Sequence, residues 1–298
     1  MASAGGAAAL SPAYFVSHGT ALHTLDPGLA PFSDLRAEGA RALAATTAPT
    51  AVVVVSAHWV AGGPTLGVGS ALAPETIHDH PSAHLYSFRY AARGDAALAA
   101  HVAEHLRAGG FGAHVDAGRG LDHGAWLALE LLFPGAPLPV VPIQLPARAA
   151  DAARLGASLA PLRAEGVALL FSGSATHNQA AFRDGFLKQR VDAGGGEAAL
   201  AARRAAAVAA EATVATTAPW SVAFDSWLAA ALERGAPAAA RCDALLGYER
   251  APGAAEAHPE PSHFLPAVAF AATGSDREAA RRIASGFQYA LSMSAWAF

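Results

Sequence analysis

The chain has 298 residues, a formal net charge of −4 and a composition that is 53% hydrophobic but only 15% charged, enough for a sizeable core in one large domain or two small ones. Its basic residues are scattered, so no stripe or patch suits nucleic acid or an anionic membrane surface. Cys242 is the only cysteine, which excludes an intrachain disulfide and a cysteine-built zinc site.

The opening "MASAGGAAALSP" has no basic segment followed by a long apolar one, and no run of about 18 strongly apolar residues suggests a span. The expectation is a cytoplasmic protein whose residues 1–11 are flexible. Tyr14–Val16 in "YFVSHG" reads as a strand that delivers His18. His23 reads as a surface residue. The apolar run at 51–55, four of its residues valine, predicts a strand over Val52–Ser56, buried on both faces, that stops and delivers His58 in "SAHW". Gly62–Gly69 is a loop signal. "TIHDHPSAH" is a polar loop, so His78, His80 and His84 rank below the strand-borne histidines despite their density.

Ala96–Ala108 carries Leu98, Val102 and Leu106 at four-residue spacing and predicts a helix ended by Gly109-Gly110. His101 and His105 lie on its face, and they and His114 read as surface positions. In "GLDHGAW", Asp122 and His123 precede a predicted helix at Ala125–Phe133. Asp122 either caps that helix or orients an imidazole. Leu138–Gln144 and Val167–Phe171 are further strands, the second followed by "SGSATHN" and His177. Between them, Asp151–Glu165 predicts an alanine-rich helix, broken at Pro161. Gly194–Gly196 marks a loop before a helix at Glu197–Ala212. Ser221–Arg234 predicts an amphipathic helix with Val222, Leu228 and Leu232 inward. In "HPEPSHFLP", Ser262 is placed to cap a helix that begins near His263, and His258 reads as exposed loop. Asp276–Gly286 predicts a last helix, and the apolar tail "FQYALSMSAWAF" is expected to dock back as a strand.

Continuous apolar strands alternating with helices predict an α/β class: one domain over residues 1–298, in three layers around a mostly parallel sheet. Ligands of such sheets bind outside the carboxyl ends of the strands. His18, His58 and His177 all follow such ends. One histidine there is usually a hydrogen-bonded rim residue, but three call for a common cause, and a metal site supplies it. His263 at a helix start is a fourth candidate, held in its neutral, ligating form by the helix N-terminus. No dinucleotide fingerprint, P-loop or nucleophile elbow occurs.

Taken together, "SHG" at 17–19, "SAHW" at 56–59, "GLDHGAW" at 120–126, "VPIQLP" at 141–146, "SGSATHN" at 172–178, "HPEPSHFLP" at 258–266 and the ending "LSMSAWAF" resemble the class III, LigB-like extradiol aromatic ring-opening dioxygenases, especially their DOPA 4,5-dioxygenase branch. The pieces keep the family's order across nearly the whole chain. The resemblance implies extradiol cleavage of a catechol by O2 at a mononuclear non-haem metal. It assigns His18, His58 and His263 to the metal. It gives His177 an acid–base role or a place on the metal, with His123 beside it. Fe(II) is the active metal it implies, and Zn(II) is a metal that purified protein can carry instead. Glu260 lies close enough to His263 to compete for its role. "DHPSAH" departs from the family pattern. Two other readings stand beside this one: a zinc hydrolase on the same histidines, and a non-catalytic, Memo-like binding scaffold. The expected partners are a catechol and O2, with no nucleic acid and no membrane; a homo-oligomer is left open.

Overall fold

Valine-rich β2 (Ala51–Ala61) forms the middle of an eight-stranded sheet in the computed structural model, which describes residues 10–19, 31–80, 86–183, 218–288 and 290–298. The predicted helix Glu197–Ala212, the loop Gly194–Gly196, and His23 and His84 lie outside these residues. β2 pairs in parallel with β5 (Val140–Pro146) and β6 (Val167–Gly173), and β6 pairs in parallel with β1 (Ala13–Ser17). β3 (Thr65–Gly69) joins β5 antiparallel and β4 (Gly112–Asp116) parallel. At the other edge, β10 (Ala295–Ala297) runs antiparallel between β1 and β7 (Arg281–Ala284). A short hairpin of β8 (Phe287–Gln288) and β9 (Leu291–Ser292) precedes β10.

Side chains alternate across a strand, so each buried strand serves two cores. Tyr14, Val52, Val54 and Leu170 face α1 (Phe32–Ala44) and α3 (His123–Leu132). Phe15, Val53, Val55 and Phe171 face α2 (Ala96–Ala108), α4 (Ala149–Leu159), α5 (Pro219–Glu233), α6 (Ala238–Leu246) and α7 (Leu265–Ala271). The result is the expected single α/β domain with helices on both faces of a mostly parallel sheet. The tail docks as predicted: β10 pairs Phe15 with Trp296, whose rings stack 6.0 Å apart.

Four expectations are corrected. β2 does not stop at Ser56. Its pairing with β5 passes from Ser56↔Gln144 to Val60↔Leu145, so Ala57, His58 and Trp59 form a bulge and the strand resumes. Thr65–Gly69 is a strand rather than loop, because Gly67 marks a close approach: a Cβ there would stand 2.7 Å from the Trp59 ring. The predicted helix at Asp276–Gly286 is instead a turn followed by β7. Pairing with β10, burial of Ile283 and ion pairs from Arg281 to Glu38 and Arg282 to Asp225 override a weak alanine-based helix signal. Asp151–Glu165 does divide near Pro161, as α4 and a following 3-10 turn, Ala160–Glu165. Finally, Ser262 caps nothing. The Glu260 side chain accepts from the Ser262 N–H and starts a 3-10 turn at Pro261–His263, before α7.

Candidate metal centre

His18, His58, His123, His177 and His263 gather where the strands end. His18 follows β1, whose partner β6 has just ended: the His18 N–H donates to the Gly173 carbonyl at 3.1 Å. The β2 bulge turns His58 toward the same place. Past β6, the Ser174 N–H donates to the His263 carbonyl at 2.9 Å and the His177 N–H to the Ala257 carbonyl at 2.7 Å. These bonds fasten "SGSATHN" to "HPEPSHFLP". The Ala175 N–H donates to Ser17 Oγ, which donates to the Ser294 carbonyl, so the tail completes the support.

Ring nitrogens face one another within the cluster. His58 Nε2 stands 3.3 Å from His18 Nε2 and 3.1 Å from His263 Nε2. Two imidazole nitrogens bound about 2.05 Å from one ion at a near-tetrahedral angle would stand roughly 3.3 Å apart. The spacing therefore fits a single metal ion. His18, His58 and His123 also offer ligand atoms that all lie within 4.8 Å of one another. His177 is different. Its ring stacks on His263 at 3.6 Å, with planes 3° apart. Imidazole lone pairs lie in the ring plane, and parallel planes do not meet. In this arrangement the two rings cannot both aim at one ion.

Hydrogen bonds on the far side of the His18 and His123 rings set how each is presented to the cluster. Ser172 Oγ donates to the Gly124 carbonyl at 2.6 Å, so it can only accept from His18 Nδ1, 3.1 Å away. That leaves a lone pair on His18 Nε2. His123 Nδ1 and its backbone N–H both meet Asp79 Oδ1, at 2.9 and 2.8 Å, which turns His123 Nε2 inward. Asp79 Oδ2 is 3.9 Å from His58 Nδ1. Burial alone would raise the Asp79 carboxyl, but its hydrogen bonds and charge interaction with His123 hold it well below the usual range. Burial, then the neighbouring imidazoles, push His18 and His263 well below the ordinary histidine value. The same two causes lower His58 to about 3, and His177 to about 4 against the opposing pull of Glu260. A set of neutral, buried imidazoles with inward lone pairs is the donor chemistry a transition metal needs.

Asp122 is the cap, not the orienting carboxylate. It accepts from the Ala125 N–H at 3.0 Å and from Ser56 Oγ. The orienting carboxylate is Asp79, which the sequence reading missed. Residues 75–77 run beside Leu121, so the Ile77 N–H meets the Leu121 carbonyl at 2.7 Å and carries Asp79 to His123. The "HDH" triplet was the available signal. His78 and His80 are not simply polar loop: His80 is buried, 5.8 Å ring to ring from His123, and both rings pack on Trp126. His258 is also corrected. It is buried between Phe224 and Phe264, and its Nε2 donates to the Ala175 carbonyl at 3.0 Å. Glu260 is exposed and serves its turn. A cavity of about 570 Å³ opens beside the cluster, with His58, His177 and His263 on its wall. His101 and His105 sit on the α2 face, as expected, and His114 on β4.

Residues 12–297 match the family described as the catalytic LigB subunit of aromatic ring-opening dioxygenase. The chain is 34% identical to a 4,5-DOPA dioxygenase extradiol of Beta vulgaris, over 89% of this chain and 88% of that protein. It is 30% identical to the protein of the same name in Escherichia coli K12, over 86% and 82%. A crystal structure of an uncharacterised Escherichia coli K12 protein superposes with a TM-score of 0.68 at 25% identity, covering 97% of this chain and 99% of that one.

Proposed function

This chain belongs to the LigB family of aromatic ring-opening dioxygenases, and on that footing we propose how its histidines divide the work. It is an extradiol dioxygenase, cleaving a catechol-type ring with O2 at a histidine-held metal centre. The hydrolase and scaffold readings are not favoured, because the family match and the relatives carry a dioxygenase name.

The metal is held by His18, His58 and His263. The single observation that carries this set is the pair of Nε2 separations around His58, 3.3 and 3.1 Å. Fe(II) is the active metal, because Zn(II) has no redox chemistry. When bound, it supplies redox-active coordination positions for the diol and for O2. The rest falls to side chains. The catechol ring enters the cavity on the His58–His177–His263 wall. His177, unable to ligate alongside His263, takes the phenolic proton and returns one as the ring opens. His123, held by Asp79, faces the cluster from the other side and serves as the second acid–base group. Residues 1–298 act as one catalytic domain. Among the described residues no helix is long and apolar enough to cross a membrane. The location proposed is cytoplasmic.

Anaerobic loading of metal-free protein with Fe(II), followed by a panel of catechols and O2, tests the reading. Oxygen uptake with formation of a semialdehyde is expected, and a zinc-only sample should be folded and inactive. Strong cleavage by verified zinc-only protein would refute the redox role. His58→Ala should lose the metal of the ring-opening centre. Full metal occupancy in that variant would remove His58 from the set.

A further inference from the structure

We propose that His101, His105 and Glu165 form a second divalent-metal site, separate from the ring-opening centre. His101 and His105 are one helical turn apart on α2, so both rings project from one face. Glu165 reaches them from the end of the 3-10 turn at Ala160–Glu165. His101 Nε2 is 3.3 Å from His105 Nε2 and 2.7 Å from Glu165 Oε2. His105 Nε2 is 3.5 Å from Glu165 Oε1. The three ligand atoms lie within 4.8 Å of one another.

Without a metal, His101 and His105 can each donate Nε2–H to one oxygen of Glu165, at 2.7 and 3.5 Å, which leaves the two N–H groups crowded with their nitrogens 3.3 Å apart. A metal ion removes that crowding, because both nitrogens and the carboxylate can turn lone pairs toward it. The nitrogen separation repeats the 3.3 Å between His18 and His58. Glu104 Oε2 lies 3.8 Å from His101 Nδ1, on the side where a proton would leave Nε2 free. Two imidazoles and a carboxylate suit a borderline ion such as Zn2+, Ni2+ or Cu2+.

The position makes the site distinct. Glu165 stands just before β6 begins, whereas the ring-opening cluster lies past its end. Seven strand residues separate the two by roughly 20 Å. Metal here would clip α2 to the turn that feeds β6, a structural rather than redox role.

Equilibrium dialysis of metal-free protein against Zn2+, with bound metal counted by elemental analysis, is the test. Wild type should bind two equivalents. His105→Ala should bind one, and Glu165→Gln should weaken the second by about tenfold or more. His58→Ala should still bind one equivalent, lost in His58→Ala/His105→Ala. Circular dichroism checks the fold, and added Zn2+ should raise the melting midpoint of His58→Ala but not of the double variant. A single equivalent in wild type overturns the proposal. So does a second equivalent that persists unweakened in both His105→Ala and Glu165→Gln.

Discussion

Ser172 decides which nitrogen His18 offers the cluster. Its one proton goes to the Gly124 carbonyl, so its lone pair receives His18 Nδ1–H. Ser172→Ala should therefore lower metal affinity by about 10–100-fold, the usual loss when a ligand's supporting hydrogen bond is removed. Competition dialysis against a chelator would read this. Unchanged affinity would mean that His18 orients itself. His177→Ala separates base from ligand. It should keep the metal and its anaerobic catechol complex, yet slow ring opening by about 10²–10⁴. Lost metal would make His177 a ligand, and near-normal turnover with normal metal content would sink both roles. The sequence showed His18, His58 and His177 at strand ends. It could not show Asp79 or Ser172, because their importance lies in which ring they touch. Nor could it show that His258 is buried, since the aromatic rings enclosing it come from Phe224, 34 positions away, as well as from nearby Phe264.

The N-terminus of α3 is wedged against the β2 bulge, and Gly124 permits it. A Cβ there would stand 2.6 Å from Ser56 Oγ and 2.8 Å from His58 Cδ2. Gly124→Ala should cost about 1–3 kcal/mol by overpacking and loosen the metal by displacing His58. A lower thermal midpoint together with reduced metal retention is the expected result. A drop in stability with full metal content would confine the strain to the helix. At this scale the buried elements were the legible ones. α2 lies where its four-residue periodicity placed it, and β1, β2, β5 and β6 were marked by continuous apolar runs. The outer strands β3 and β7 were not legible. β3 is interrupted by glycines that serve close packing with Trp59, and β7 exists through its partner β10 rather than through its own residues.

Across the whole molecule, the chemistry collects at one rim of the sheet, and that rim holds neutral imidazoles away from water. Burial, with neighbouring histidines, keeps His18 and His263 well below the ordinary value; His58 and His258 fall to about 3 and His177 to about 4. Above about pH 6.5 these groups are neutral in both folded and unfolded chains, so they set no pH dependence. Below it the unfolded chain takes up protons that the folded chain refuses. Unfolding then binds protons, and stability must fall as the pH falls. The loss grows from about pH 6.5 until the folded-state values near 4 and 3 are reached. Asp79 adds a further loss once the pH falls below the ordinary carboxylate range, where the unfolded chain binds a proton that the folded Asp79 still refuses. Metal-free protein should accordingly show a urea midpoint that is level from pH 7.5 to about pH 6.5 and declines from there to pH 4.5. His258→Gln isolates one contributor that is not a proposed ligand. Its amide can still donate to the Ala175 carbonyl but cannot titrate, so the decline should be shallower than in wild type. A midpoint that stays flat over this range would mean that the histidines protonate in the folded state, and that the rim is far wetter than its packing against Phe224 and Phe264 implies.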